Sequence, residues 1–140
     1  MRRESNPFRN KLGSWVNNPL NFGLCCDILD RLYWTKVSKP NILQVSCKDL
    51  TIFIFKQWSY EADLKTRVEI YKLLNLEYLK RHDINKKLYV VSINQKGIDF
   101  LNYQTSDNNS KIALELEWRS YYSKNEFNIK LTIEKDYDKI

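Results

Sequence analysis

The stretch from residue 111 to residue 135 constrains this chain most, because its apolar side chains fall on alternate positions. In KIALELEWRSYY, Ile112, Leu114, Leu116 and Trp118 would share one face of an extended backbone, with Glu115, Glu117 and Arg119 on the other. FNIKLTIEK repeats the pattern with Phe127, Ile129, Leu131 and Ile133, and SKN between them makes a turn. Upstream, KKLYVVSI and GIDFLNYQT flank NQK, where Gly97 can supply the positive φ of a hairpin turn. SDNNS, 106–110, is a second cluster of turn formers. Four strands joined by short turns predict an antiparallel meander.

Two further strands precede it. NILQVSC alternates with one apolar face, and LTIFIFKQW is rich in the β-branched and aromatic residues that favour strands. Lys48 and Asp49 would form the tight connection between them. A sheet of six or more strands avoids bare edges best by curving or closing. Two segments stay ambiguous. LCCDILDRLYW is either a helix with Leu24, Ile28 and Leu32 on one side or two short strands. Residues 61–83 carry a helical stripe of Leu64, Val68, Tyr71, Leu74 and Tyr78, with a strand over TRVEIYKLL as the alternative. Residues 1–6 read as a flexible tail and 7–140 as a single β-rich domain, with a short helix begun by Pro7 and carrying Phe8, Leu12 and Trp15. The expected class is therefore mainly β, an antiparallel meander with one or two helices.

Charge and chemistry add little. The chain carries a net charge of +6 with its cations dispersed; the densest run, LKRHDINKK at 79–87, reads as solvated surface. Cys25, Cys26 and Cys47 are too few and poorly spaced for a disulfide framework or a zinc site, so reduced thiols in a cytoplasmic or stromal compartment are expected. No charged-then-apolar leader opens the sequence, and no apolar run approaches the ~20 residues of a membrane span. His82 stands alone, and glycine-rich phosphate loops and nucleophile motifs are absent, so acid–base enzymology is not indicated.

FRNKLGSW, with Gly13 two residues ahead of Trp15, resembles the entry to the first strand of lipocalin-like, or calycin, barrels. LELEWRSYYSKNEF is similar to a strand–turn–strand of the CpeS/CpcS-type phycobiliprotein lyases; together the two stretches span about a sixth of the chain. The resemblance implies a barrel that binds an open-chain tetrapyrrole (a bilin) and delivers it to a cysteine of a phycobiliprotein subunit. It makes Glu117 the residue for the pyrrole nitrogens, and a nearby cation the partner of a propionate. Flat conjugated carboxylates suit aromatic walls and cations, so Trp58 and Trp118 are expected as walls and Arg67 and Arg119 as charges. Trp34, Phe53, Phe55, Tyr89, Phe100 and Lys130 could join them. The bilin is a bound ligand, no cofactor is called for, and whether such a chain counts as an enzyme stays open.

The alternative is a basic, aromatic-rich module without catalysis. KQWSYEADLK and RSYYSK interleave aromatic and basic residues, as a surface that stacks the bases of single-stranded nucleic acid would. A viral or organellar assembly protein, joining a partner through exposed strands, is the remaining reading.

Overall fold

Asn21 starts the first helix. Its Oδ1 accepts the backbone N–H of Leu24 at 3.1 Å, satisfying one of the donors that a helix start leaves open. Helix α1, Phe22–Ser38, buries Leu24, Cys25, Ile28, Leu29, Leu32 and Thr35 along one side, so the first ambiguous segment is a helix. It ends at Lys39, as the residue ahead of Pro40 is pushed out of helical geometry. The computed structural model describes residues 20–42, 44–85, 88–103 and 108–138. Gly13, Trp15 and the expected helix after Pro7 lie outside them.

Strand β1, Val45–Ser46, is only two residues long, because Ser46 turns the chain into helix α2, Cys47–Phe55. The Ser46 hydroxyl accepts the N–H of Asp49 at 3.1 Å, and Asp49 complements the positive end of the helix. This overturns the expected strand over LTIFIFKQW. Cys47, Leu50 and Thr51 point inward at helical spacing, while Ile52, Phe53 and Phe55 stay exposed. Lys56 closes α2 with a left-handed backbone, φ 71°. The turn Lys56–Ser59 leads to helix α3, Tyr60–Asn75, capped by the Ser59 hydroxyl on the N–H of Ala62. Glu61 and Asp63 occupy its first turn.

The expected helix reaches to residue 83, but α3 stops at Asn75. Tyr78 N–H bonds the Leu73 carbonyl at 2.9 Å, and Glu77 N–H bonds that of Leu74 at 3.1 Å. This is a Schellman ending, with Glu77 in the left-handed position at φ 68°. Strand β2, Leu79–Asp83, follows, and pairs antiparallel with β3, Tyr89–Ile93, from Leu79 opposite Ile93 to Asp83 opposite Tyr89. β1 pairs with the other edge of β3, giving the order β1-β3-β2.

Asn94 ends β3. Its side-chain amide donates to the Glu77 and Leu79 carbonyls, and its own carbonyl accepts from Ile98 N–H. Helix α4, Gln95–Tyr103, occupies the place of the expected strand GIDFLNYQT. Gly97 takes no positive φ and makes no hairpin. It is needed for closeness instead: a Cβ there would lie 2.6 Å from the Tyr78 carbonyl oxygen. Helix α5, Asn108–Asp138, kinks at Asn125 and replaces both C-terminal strands. Leu114, Trp118 and Tyr122 are buried at four-residue intervals, whereas Ile112 and Leu116, the other members of the alternating set, are 51% and 59% exposed.

The expected mainly β barrel is therefore corrected: the described residues form five helices and one small, open, three-stranded sheet. The core comprises Ile28 and Leu29 of α1, Leu50 of α2, Leu64, Val68, Ile70 and Leu73 of α3, Val91 of β3 and Trp118 of α5. Among the described residues no helix is long and apolar enough to cross a membrane.

Candidate nucleic-acid interface

Helices α2 and α3, joined by a four-residue turn, are followed directly by the β2–β3 hairpin. The inward side of α3 is committed to the core through Ala62, Leu64, Val68, Ile70 and Leu73. That leaves Tyr60, 63% exposed, Glu61 and Lys65 outside, on its first two turns. Lys65 reaches Glu61 only loosely, at 3.9 Å with both side chains about half in water.

A chain of polar contacts fixes α3 against the turn and the hairpin. Trp58, in the turn, donates its indole N–H to Asp63 Oδ1 at 3.3 Å. Arg67, one turn further along α3, donates Nε and Nη2 to Asp63 Oδ2 at 3.4 and 3.3 Å. Its Nη1 reaches the Tyr89 hydroxyl on β3 at 3.5 Å. Arg81 of β2 lies 4.1 Å over the Tyr89 ring and donates Nε to Asp83 at 2.7 Å. Turn, helix and hairpin are thus held in one orientation by side chains that stack and hydrogen-bond. Cys47 sits beneath, its thiol 3.7 Å from Asp63, and burial above all pushes that thiol up to about 12. It stays protonated and unreactive.

The exposed or half-buried cations of these elements include Lys48 in the first turn of α2, Lys65 on α3, and Lys80 with Arg81 on β2. Lys48 and Lys80 are exposed and pair with no carboxylate among the described residues. The charge asymmetry agrees: residues 1–103 hold 17 Lys and Arg against 10 Asp and Glu, and residues 104–140 hold 6 against 7.

Behind α3 lies a buried ionic group. Lys72 is fully buried with its Nζ 3.5 Å from Glu69 Oε2, and Glu69 Oε1 accepts from Asn21 N–H at 3.1 Å and from the Cys25 thiol at 3.5 Å. Burial raises the Glu69 carboxyl and lowers the Lys72 ammonium from their ordinary values, and each partner's charge opposes that shift. The Lys72 ammonium also lies 5.7 Å from the Trp118 ring centre.

The residues expected to line a bilin pocket do not converge. Trp58 and Arg67 meet on Asp63, as described, in the α2–α3 region. Glu117 lies on α5, where its Oε2 accepts from Lys96 at 3.0 Å beside Tyr78. Trp118 is buried, stacked on Tyr121, and fills the core rather than walling a hollow. Arg119, next along α5, is exposed. His82 is half-buried, its Nε2 3.2 Å from the Ser92 hydroxyl. No protein-family model, no curated protein and no solved structure matches the chain.

Sequence reasoning took in Tyr60, Lys65 and Lys80 only as members of KQWSYEADLK and of the basic run at 79–87, and it missed the Glu69–Lys72 pair. A signal for the first three was present. Ser46 three residues before Asp49, and Ser59 followed by two acids, mark two helix starts, and the basic run at 79–87 follows directly.

Proposed function

We propose that this chain binds duplex DNA through a winged helix-turn-helix, with α3 as the reading helix and the β2–β3 hairpin as the wing. The observation that carries this reading is the element order. A backing helix, a short strand, two helices across a four-residue turn and a hairpin follow one another, with antiparallel strand order β1-β3-β2. A major groove about 12 Å wide admits one α-helix, and in this arrangement it receives the N-terminal turns of the second helix. Tyr60, Glu61 and Lys65, exposed on the first two turns of α3, would be the side chains that meet base edges there. Lys offers donors to guanine, and Glu accepts from the cytosine amino group. Lys48 at the start of α2 and Lys80 and Arg81 on the wing lie at the flanks, where phosphates pass. The wing's connecting sequence adds Lys86 and Lys87, which lie outside the described residues.

The test is fluorescence anisotropy of the full chain with mixed-sequence duplex DNA across a salt series. If about four phosphates are neutralised, log K falls against log salt with a slope near −3.6, a loss of roughly 150-fold between about 50 and 200 mM. Lys80→Glu weakens binding on every sequence and flattens the slope by about one unit. Lys65→Ala changes the preference among sequences more than the slope. Absence of duplex binding at low salt, or tighter binding to single strands than to duplex, overturns the proposal.

A further inference from the structure

Helices α1 and α2 share a second surface. Trp34 of α1 and Phe53 of α2 are 42% and 45% exposed, high for side chains of that size. The Arg31 guanidinium lies 4.4 Å from the Trp34 ring centre and 3.8 Å from that of Phe53. Two hollows, of about 580 and 370 Å3, flank the aromatic pair and share Arg31, Trp34 and Phe53 as a common wall. Ile42 and Ile52, both exposed, add apolar surface to the second.

The charges around the rings form a checkerboard. The first hollow takes carboxylates from α1, Asp27 and Asp30, and a cation from the end of α2, Lys56. The second takes a cation from the end of α1, Lys39, and a carboxylate from α2, Asp49. Each helix thus runs from acid to base past its aromatic side chain: Asp30, Trp34 and Lys39 on α1, and Asp49, Phe53 and Lys56 on α2. Among the described residues, neither these charges nor Arg31 have an opposite charge within ion-pairing distance.

Three cations and three carboxylates cancel on this face, although the whole chain carries +6. A uniformly acidic partner would meet three carboxylates here, and a uniformly basic one three cations. A face with the same checkerboard, turned over, meets opposite charges throughout. Flipped about an axis across both helices, Asp30 of one copy faces Lys39 of the other, and Asp49 faces Lys56. Flipped about an axis along them, Asp30 faces Lys56 and Lys39 faces Asp49. The spacing suits the first case: at 1.5 Å per residue, Asp30 stands about 6 Å before Trp34 and Lys39 about 7.5 Å after it, so an axis through Trp34 brings them nearly level.

We propose that this face joins two copies of the chain in an isologous dimer, with Trp34 and Phe53 at its centre and Asp–Lys pairs at both ends. The face uses none of Tyr60, Glu61 or Lys65, so the proposal stands whether or not the chain binds DNA.

Sedimentation equilibrium of the full chain, without DNA, tests it. The expected result is a mass that rises with concentration from that of one chain towards twice that value, with a Kd of roughly 1–100 µM. Trp34→Gln weakens the dimer by about tenfold or more. Asp30→Lys/Asp49→Lys makes the face basic and Lys39→Glu/Lys56→Glu makes it acidic. Each of these variants alone stays monomeric, and an equimolar mixture of the two restores a dimer. Lys80→Glu, on the hairpin, leaves association unchanged, and all the variants keep the parent circular dichroism spectrum. A chain that stays monomeric up to about 1 mM overturns the proposal, whether its face is then bare or covered by another partner. So does a dimer indifferent to Trp34→Gln, and so do folded charge-reversed variants that fail to associate when mixed.

Discussion

Replacing Lys72 by Met, which keeps length and removes charge, isolates the cost of an unpaired buried carboxylate. Lys72 is wholly buried and the Glu69 side chain only 7% exposed, so water screens neither. At 3.5 Å and an effective dielectric of about 20, the pair is worth about 5 kcal/mol of Coulomb attraction against its desolvation. Lys72→Met forfeits that attraction and leaves Glu69 with two donors, Asn21 N–H and the Cys25 thiol. A loss of roughly 3 kcal/mol is expected, a large part of the ~5–15 kcal/mol that holds a domain together. The double variant Glu69→Leu/Lys72→Met removes both charges, and the freed Asn21 N–H stands at an exposed position where water can take it. Its stability should lie within about 1 kcal/mol of the parent, or above it.

Urea unfolding followed by circular dichroism measures both variants, and the cycle should give a coupling of about 2 kcal/mol or more. The pH dependence has a fixed sign. The folded Glu69 carboxyl titrates above its unfolded value of 4.5, so the native state holds that proton longer and stability falls as pH rises through this interval. The folded Lys72 ammonium titrates below its unfolded 10.5, so stability rises again as pH climbs from the folded value towards 10.5. The double variant, set against the parent, should therefore gain most near neutrality and least below pH 4.5 and above 10.5. If Lys72→Met costs less than about 1 kcal/mol, or the two substitutions add, the pair is not the buried unit described.

Lys56 and Glu77 hold left-handed backbone at φ 71° and 68°, so Lys56→Gly and Glu77→Gly should each stabilise by about 1 kcal/mol, read as a shifted urea midpoint. A methyl group on residue 97 would press on the Tyr78 carbonyl and on Ile93 Cγ1 at 2.8 Å, so Gly97→Ala should cost roughly 1–3 kcal/mol despite its better helix propensity. Of the three thiols only Cys26 is partly exposed, so Ellman's reagent should label Cys26 first. Cys25 and Cys47 should follow at the rate of unfolding, and rapid labelling of all three would contradict the packing.

Helices α1 and α3 were legible in part: their apolar residues recur at helical spacing, but a strand reading stayed open for each and the second helix was expected to run on to residue 83. Leu24, Ile28 and Leu32, like Leu64 and Val68, occupy the inner side that the spacing assigns them. β3 was legible as the run YVVSI. What misled was the alternation in LTIFIF and IALELEW. Period two and period four coincide at every fourth residue, and Leu114, Trp118 and Tyr122 satisfy both. Only the fate of the intervening Ile112 and Leu116 separates them, and both lie in solvent. In α2 the strand preference of Thr51, Ile52 and Ile54 gives way to the Ser46 cap and to the burial of Cys47, Leu50 and Thr51 on one side of a helix.

The same ambiguity hid the candidate interface. Once α2 is taken as a strand, the turn Lys56–Ser59 becomes mere sheet edge, and Tyr60 and Lys65 lose the helix–turn–helix on which the proposed DNA reading rests. The basic run at 79–87 reads as solvated surface for a related reason. The strands of this hairpin are short and carry no strong periodicity, and the stack of Arg81 on Tyr89 and its bond to Asp83 emerge only once the hairpin pairs. Lys80 and Arg81 acquire meaning only from their neighbours: Tyr89 across the hairpin, and Arg67 bridging Tyr89 to Asp63 on α3. Those neighbours are separated in sequence by up to twenty-six residues, and pairing them requires the β2–β3 register, in which Arg81 faces Val91 and Asp83 faces Tyr89. The interface is thus a property of the register and the α3 orientation together. A substitution that loosens either, such as Arg67→Ala, should weaken DNA binding without removing a side chain that touches the duplex.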